Sequence, residues 1–214
     1  MEKILIVVDM QNDFVTGSLG TQQAQDIVEY AAEKICAAKK EGAHIICTMD
    51  THREGYLRTM EGRNLPVEHC ILGTDGWNLN DRILTALGTN FMRRMEEAEK
   101  EKHPENGGND FVLFRERGDS GGFSVIAKGQ FGSPLICREA AGYIGDSACG
   151  NGAGAEIEII GLCTDICVVA NALMLKTGFP EAEITVDSRG CAGVTEEKHL
   201  AALEVMRSCQ INVI

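Results

Sequence analysis

Ile-Leu-Ile-Val-Val-Asp, at residues 4–9, is the stretch that decides the fold. The run is rich in β-branched residues and uninterrupted, which is typical of a parallel strand buried on both faces. A second run at 43–49 has the same character and also ends in a carboxylate, Asp50. Carboxyl ends of parallel strands meet at one edge of a sheet, where ligands bind. The sequence therefore predicts an α/β fold with a site near Asp9 and Asp50.

The remaining pattern alternates helices with strands. Apolar spacing predicts helices at 22–40, 79–87, 91–102, 165–176 and 196–208, and strands at 111–114, 156–161, 182–187 and 210–214. A flexible break is expected at 104–110 and a glycine-rich turn at 118–122. Such alternation indicates right-handed crossovers with helices on both sheet faces. We expect one domain over 1–214, with three α/β/α layers, a mostly parallel six-stranded sheet and an insertion-like segment at about 88–122.

Composition excludes several classes of function. The chain has 214 residues, 44% of them apolar, which suits a soluble globular protein. Its 20 basic and 32 acidic residues give a net charge of −12, which disfavours nucleic acid and anionic membrane surfaces. No apolar run approaches the roughly 20 residues of a membrane span, and the N-terminus lacks a secretory pattern. We expect a cytoplasmic protein.

The nine cysteines are odd in number and contain no Cys-x-x-Cys pair. A disulfide framework and a structural zinc site of that type are therefore disfavoured. Cys167 lies at the predicted start of the helix at 165–176, where the helix dipole and free N–H groups stabilise a thiolate and an oxyanion. The position alone leaves two interpretations open: a nucleophile, or a small buried hydrophobic residue.

Two imidazoles and a carboxylate cluster in the sequence between the second strand and residue 78. Asp50 and His52 lie on one side of an extended segment, and His69 follows in the same long region. This donor set suits Zn²⁺, Fe²⁺ or Mn²⁺ with positions left open. Hydrogen bonds within the loop would explain the same residues.

Taken together, the segments resemble those of the isochorismatase-like cysteine hydrolases, and within them the nicotinamidases of NAD salvage. The matching motifs are Val-Asp-Met-Gln-Asn-Asp-Phe at 8–14, Asp-Thr-His at 50–52, Leu-Pro-Val-Glu-His-Cys at 65–70, Gly-Thr-Asp-Gly-Trp at 73–77, Lys-Gly-Gln-Phe-Gly-Ser at 128–133 and Gly-Leu-Cys-Thr-Asp-Ile-Cys-Val at 161–168. They run in the family's order over nearly the whole chain. Their ordered combination is far more specific than any single motif.

The resemblance implies a role for each catalytic position. Cys167 would attack the amide carbonyl, Asp9 would accept the thiol proton and pass it to the departing ammonia, and Lys128 would orient Asp9. The backbone N–H groups of Cys163 and Cys167 would form the oxyanion hole, after a cis peptide at Leu162–Cys163. Water would then hydrolyse the thioester.

The resemblance also implies a divalent metal that binds the pyridine nitrogen of the substrate. Asp50, His52 and His69 match the ligand positions, and Glu61 lies where some members supply a further carboxylate. Zn²⁺ is the first expectation, with Fe²⁺ and Mn²⁺ as alternatives. Phe14 would line the substrate pocket. The sequence departs from many nicotinamidases at Thr51, where they carry Trp.

Three functions follow in order of preference. The first is hydrolysis of nicotinamide to nicotinate and ammonia through a thioester on Cys167. The second is a related cysteine amidase that acts on another small amide or a carbamoyl compound. The third is a non-catalytic binding protein on the same fold, since fold does not fix function. By resemblance we expect a homo-oligomer whose partner is a small-molecule amide, with no nucleic acid and no membrane.

Overall fold

A computed structural model describes residues 2–99, 110–117, 121–145 and 150–214. The predicted flexible break at 104–110 lies outside these residues except for its last position. Most of the predicted glycine-rich turn at 118–122 also lies outside them.

The described residues form a seven-stranded sheet in the order β3-β4-β2-β1-β5-β6-β7. Its strands are β1 (Glu2–Val8), β2 (His44–Asp50), β3 (Phe111–Arg117), β4 (Gly122–Lys128), β5 (Ala155–Leu162), β6 (Glu183–Ala192) and β7 (Asn212–Val213). All neighbours are parallel except β3, which runs antiparallel to β4 at one edge. The predicted α/β class with a mostly parallel sheet is confirmed.

The central strand β1 is buried on both faces from Ile4 to Val8. Continuous burial is possible because helices cover both sides of the sheet. The helices are α1 (Asn12–Val15), α2 (Gln22–Asp26), α3 (Val28–Lys40), α4 (Met60–Asn64), α5 (Asp81–Leu87), α6 (Thr89–Glu99), α7 (Pro134–Ile144), α8 (Val169–Gly178) and α9 (Glu196–Ser208).

Two apolar cores result, one on each face. Ile35 of α3, Ile83 of α5 and Phe91 of α6 pack on one face. On the other, residues of α7, α8 and α9 pack against the alternate side chains of the same strands. This gives the three layers expected from the sequence.

The sequence does not predict four elements: strand β4, helix α7 and the short helices α1 and α4. The sheet has seven strands rather than six, because the short apolar run that ends at Lys128 forms the strand β4. Helix α7 was also not predicted, although Ser133 caps it and Pro134 opens it. The helix expected at 22–40 divides at Ile27. The segment at 88–122 contributes α6 and the edge strand β3, so part of it is built into the sheet.

None of the described helices has both the length and the apolar character that a membrane span requires.

Candidate active site

The site lies where β1, β2, β4 and β5 end. Asp9 follows β1 directly, Asp50 ends β2 and Lys128 ends β4. Asp50 and Lys128 are register partners on adjacent strands, which places their side chains together. The last residue of β1, Val8, pairs with Gly161 of β5, so the segment after β5 reaches the same edge.

An ion pair between Lys128 and Asp9 occupies the centre of this edge. The Lys128 Nζ lies 2.7 Å from Asp9 Oδ2 and 3.7 Å from Asp50 Oδ1. Both Asp9 and Lys128 are fully buried, at 0% and 1% exposure. The second oxygen, Asp9 Oδ1, accepts a 2.7 Å hydrogen bond from the hydroxyl of Thr48. Asp9 Oδ1 is therefore hydrogen-bonded, while the charge of Lys128 holds Oδ2 without a hydrogen bond of good geometry.

The sulfur of Cys167 completes the group, with the Lys128 Nζ 3.5 Å from Sγ. Cys167 lies in a π turn at Thr164–Val168, and the regular helix α8 begins directly after this turn, at Val169 rather than at the predicted residue 165. Asn171 donates a 2.8 Å hydrogen bond to the Cys167 carbonyl, which fixes the turn. The peptide bond Leu162–Cys163 is cis.

Burial and charge shape the ionisation of these groups. Burial raises the pKa of the Cys167 thiol well above its ordinary value, and Lys128 opposes this rise. Burial also raises the pKa of Asp9, against the influence of Lys128 and Thr48. Burial alone would lower the pKa of Lys128, but Asp9, Cys167 and Asp50 raise it well above its usual range. These directions favour a protonated Cys167 thiol beside a protonated Lys128 ammonium.

Four side chains that could bind a metal ion converge beside this group, and we call them the metal-binding cluster. Asp50, His52, Glu61 and His69 each offer one donor atom, and these atoms all lie within 4.8 Å of one another. The Nε2 atoms of His52 and His69 lie 3.0 and 3.3 Å from the same oxygen of Asp50. Glu61 Oε1 is 3.6 Å from His52 Nε2. Three of the four residues are buried.

The local structure fits a cation at this cluster. The Nδ1–H of His69 donates to the Val67 carbonyl at 2.8 Å, which leaves Nε2 as the ring nitrogen that can bind a cation. Among the described residues, the buried His52 Nε2 finds no hydrogen-bond partner of good geometry. Two imidazoles and two carboxylates form a donor set that suits Zn²⁺, Fe²⁺ or Mn²⁺.

Side chains of the motif at 8–14 bond the backbone next to the metal-binding cluster. The Gln11 amide bonds the backbone of Asp50 in both directions, accepting from its N–H at 2.7 Å and donating to its carbonyl at 2.8 Å. It also donates to the Trp77 carbonyl. Asp13 accepts from the Cys70 N–H at 2.8 Å, directly after His69. Sequence reasoning assigned these residues no role, because their contacts become visible only once distant segments meet.

A cavity of about 270 Å³ opens onto Cys167 and the metal-binding cluster. Phe14, Leu19, Phe131 and Ile166 are among its apolar lining residues, while Asp50, Glu61 and His69 form a polar end. Cys163 also lines it, and Lys198 of α9 contributes a cationic side chain. The Phe14 ring lies 5.6 Å from the His69 ring, between their centroids.

The structure therefore brings together Asp9, Lys128 and Cys167, and separately Asp50, His52, Glu61 and His69. The roles of these residues stay predictions. Phe14 lines the cavity, whereas Thr51 does not. Its hydroxyl accepts a 2.9 Å hydrogen bond from the buried Trp77 indole.

Comparison with known proteins identifies related sequences. Residues 3–95 match the Isochorismatase domain family. The chain is 28% identical over 210 residues to an isochorismatase family protein, PncA, of Bacillus subtilis, an alignment covering 95% of this chain and 93% of that protein.

Solved structures give the same likeness over the whole chain. The nicotinamidase/pyrazinamidase PncA of Bacillus subtilis superposes with a TM-score of 0.68 at 25% identity, covering 100% of this chain and 99% of that one. The pyrazinamidase of Pyrococcus horikoshii, solved with zinc, has a TM-score of 0.64, 25% identity and the same coverage. The sequence matches and these structures support a place for the chain in the isochorismatase-like hydrolase family.

Proposed function

We propose that this chain is a cysteine amidohydrolase that converts nicotinamide to nicotinate and ammonia. The observation that carries the proposal is the buried Lys128 ammonium, 2.7 Å from the Asp9 carboxylate and 3.5 Å from the Cys167 sulfur. A buried thiol, base and cation in contact form the arrangement that activates a nucleophile. Similarity to amide-hydrolysing relatives adds to this support.

The reaction begins with proton transfer. Asp9 takes the proton of the Cys167 thiol as the sulfur forms a bond to the amide carbonyl carbon. A carboxyl group whose pKa is raised by burial is a better base than an ordinary one. Asp9 then returns the proton to the amide nitrogen, the C–N bond breaks, and ammonia leaves a thioester on Cys167. Water attacks that thioester, Asp9 accepts its proton, and the carboxylic acid and the free thiol are released.

Two features stabilise the charge that develops. Lys128 stays protonated because Asp9, Cys167 and Asp50 surround it, so its positive charge faces the thiolate as that forms. The backbone N–H groups of Cys163 and Cys167 are the proposed donors to the oxyanion. The Cys163 carbonyl accepts from Ile166 and Val168 at 3.0 and 3.1 Å, which keeps that oxygen bonded within the turn.

Asp50, His52, His69 and Glu61 would hold a divalent metal, with Zn²⁺ as the first expectation. A metal bound there supplies a Lewis acid for the ring nitrogen of the substrate. The chain's own residues do the rest of the positioning. The apolar wall that includes Phe14 and Ile166 excludes water from a flat ring and directs the amide to Cys167.

One observation favours a second substrate class. Lys198 lines the cavity and makes no ion pair with the described residues. An ammonium there favours a substrate with an anionic group, such as an N-carbamoyl acid, over a neutral amide. This is the related cysteine amidase considered from the sequence.

An ammonia-release screen tests both candidates. Purified protein is offered nicotinamide, other small neutral amides and N-carbamoyl acids, with Cys167→Ala as the matched control. We expect nicotinamide to be hydrolysed fastest and the variant to release no ammonia above background.

Fastest turnover of an N-carbamoyl acid, with loss of that preference in Lys198→Ala, would replace the first candidate by the second. Equal ammonia release by Cys167→Ala and the unchanged protein would rule out both. Release from no amide would leave the non-catalytic interpretation.

A further inference from the structure

We propose that Thr48 is the positioning residue for Asp9, fixing through one hydroxyl group the orientation in which that carboxylate meets the Cys167 thiol. This inference rests on the proposed function, since it assigns Asp9 the role of base. Three observations on the structure carry it: the place of Thr48 in the sheet, its two bonds to Asp9, and the backbone conformation of Asp9.

Thr48 is a polar residue in an apolar position. It lies on β2 with 0% exposure, and its register partners are Val8 of β1 and Ile126 of β4. Both partners, and Ile46 two residues before it, belong to the core on one face of the sheet. A valine has the shape of threonine without the hydroxyl and would suit such surroundings. The hydroxyl therefore has a purpose other than packing.

That hydroxyl donates to Asp9 Oδ1 at 2.7 Å, while Lys128 Nζ lies 2.7 Å from Oδ2. The two contacts engage different oxygens, so together they fix rotation of the carboxylate about its last side-chain bond. The Lys128 contact alone leaves that rotation free, because either oxygen can face the ammonium. A terminal torsion of this kind is otherwise broad.

The backbone of Asp9 is held by the same residue. The Asp9 N–H donates to the Thr48 carbonyl at 3.1 Å. Asp9 adopts φ of +48°, a left-handed conformation that is uncommon for residues other than glycine. It allows the chain to turn sharply after β1, and the Asp9 carbonyl then accepts from the Gln11 N–H at 2.8 Å. Thr48 thus bonds both the main chain and the side chain of one strained residue.

Thr48 acts through Asp9 and does not touch substrate. Among the described residues that line the cavity, Asp50 and His69 are present and Thr48 is not. Loss of the hydroxyl should therefore lower kcat and leave KM nearly unchanged. Misplacement of a reacting group by about 1 Å lowers rates by about 100-fold. We expect Thr48→Val to lower kcat by about 10- to 100-fold.

The experiment compares Thr48→Val with Thr48→Ser. The valine keeps the shape and removes the hydroxyl, whereas the serine keeps the hydroxyl and loses a methyl group. A positioning role predicts that serine retains kcat within about 3-fold, even though the lost methyl lowers its melting temperature. Thr185→Val, the same change on β6 away from this edge of the sheet, is the control and should leave kcat unchanged.

A second readout separates this inference from the identity of the substrate. p-Nitrophenyl acetate acylates an activated cysteine, and intact-mass measurement detects the acetyl group on the protein. The rate of acetylation that Cys167→Ala abolishes should fall in Thr48→Val and recover in Thr48→Ser. If the unchanged protein is acetylated but does not hydrolyse nicotinamide, the proposed function fails. The acetylation rates of the Thr48 variants then still test whether Thr48 positions Asp9.

Two results would overturn the inference. One is a Thr48→Val protein that melts at a lower temperature but keeps both rates within 2-fold of the original. The other is a Thr48→Ser protein as slow as Thr48→Val, since the hydroxyl would then not be what matters. Should Thr48→Val fail to fold, Thr48→Ala against Thr48→Ser makes the same comparison.

Discussion

Lys128 is the residue whose surroundings constrain the site most strongly. Its ammonium is fully buried and contacts two carboxylates and a thiol. A buried charge is stable only when it is paired, so the cation and the two acids depend on one another. Without Lys128, Asp9 and Asp50 would repel each other at the same sheet edge, and the pKa of Asp9 would rise further.

Replacing that residue gives a direct test. Lys128→Met keeps the length and removes the charge, and we expect it to lower kcat for amide hydrolysis by about 100-fold or more. It should also lower the free energy of unfolding by about 3–5 kcal/mol, since it leaves buried carboxylates unpaired. Ammonia release and thermal melting measure the two effects. Lys176→Met on α8 is the control, because the Lys176 ammonium donates to the exposed Pro180 carbonyl. A Lys128→Met protein that keeps its activity within 10-fold would contradict the expected role.

The sequence predicts the reactive residues of the site but not the residues that hold them in place. Asp9 and Asp50 stand at the ends of apolar strands, so their meeting at one edge followed from the pattern. Thr48 and Gln11 could not be assigned, because a threonine within an apolar strand and a glutamine after one have no local signature. Their roles arise from contacts between segments 39 residues apart.

Strand β5 carries a glycine, Gly161, at the point where it pairs with the last residue of β1, Val8. Gly161 has φ of +127°, and a Cβ atom there would overlap the Val8 carbonyl oxygen. No side chain fits in that space, and β5 shows a register irregularity against β6 at the same point. A glycine at this position is therefore a requirement of the sheet.

The mutant Gly161→Ala should separate β5 from β1. We expect a loss of about 1–3 kcal/mol from overpacking, together with the cost of the backbone conformation. For a chain of this size, that lowers the melting temperature by roughly 5 to 10 °C. Gly154→Ala is the matched control, since Gly154 has φ of +81° but nothing within 4 Å of an added Cβ. Equal shifts in the two variants would show that backbone conformation alone, and not contact with Val8, makes the glycine necessary.

The junction of α3 and β6 supplies a pH-dependent element. Asp187 of β6 is buried and accepts from Tyr30 of α3 at 2.7 Å and from Arg189 at 2.9 Å, with Lys34 of α3 3.2 Å away. Burial alone would raise the pKa of Asp187, but hydrogen bonds from Arg189, Tyr30 and Lys34 outweigh it and lower the pKa. The folded pKa is thus below the unfolded value of about 3.9.

The sign of the effect follows by linkage. A depressed folded pKa stabilises the protein above the unfolded value, and this contribution is lost as pH falls through the folded pKa. The melting temperature of the unchanged protein should therefore fall more steeply between about pH 5 and 3 than that of Asp187→Asn. At neutral pH, the free energy of unfolding of Asp187→Asn should be lower than that of the unchanged protein by about 1–3 kcal/mol. Thermal melts over that range, with Asp26→Asn on α2 as the control, measure it. Parallel curves for the unchanged protein and Asp187→Asn would exclude the contribution.

Elements with strong periodicity were predictable and those with mixed signals were not. The helix at 196–208 has the predicted bounds, because Thr195 caps it and apolar residues recur at helical spacing. Strand β4 was missed because Gly-Phe-Ser-Val-Ile-Ala-Lys carries a buried serine, Ser124, within its apolar run. That serine bonds Glu139 and Tyr143 of α7, the helix that was also missed. The residues that bond a buried polar side chain can be distant from it in the sequence, so a local pattern does not reveal them.

The metal-binding cluster joins the sheet to the long connection after β2. Asp50 and His52 belong to the end of β2 and the residues just after it, whereas Glu61 lies in α4 and His69 beyond it. His52 and the segment after His69 are also paired through backbone hydrogen bonds at 2.9 Å to Cys70 and Leu72. A cation bound to all four side chains would fasten this connection to the sheet at both ends.

Removal of metal should therefore destabilise the whole protein, whatever the substrate proves to be. A ligand that binds only the folded chain at 100 times its Kd adds about 2.7 kcal/mol to the free energy of unfolding. For a domain of this size, chelation should then lower the melting temperature by roughly 5 to 10 °C, and Zn²⁺ should restore it. Elemental analysis should find about one metal per chain, lost in His69→Ala. His44→Ala is the control, because His44 begins β2 and Asp50 ends it. If a chelator lowers the melting temperature of His69→Ala as much as that of the unchanged protein, the metal is bound elsewhere on the chain.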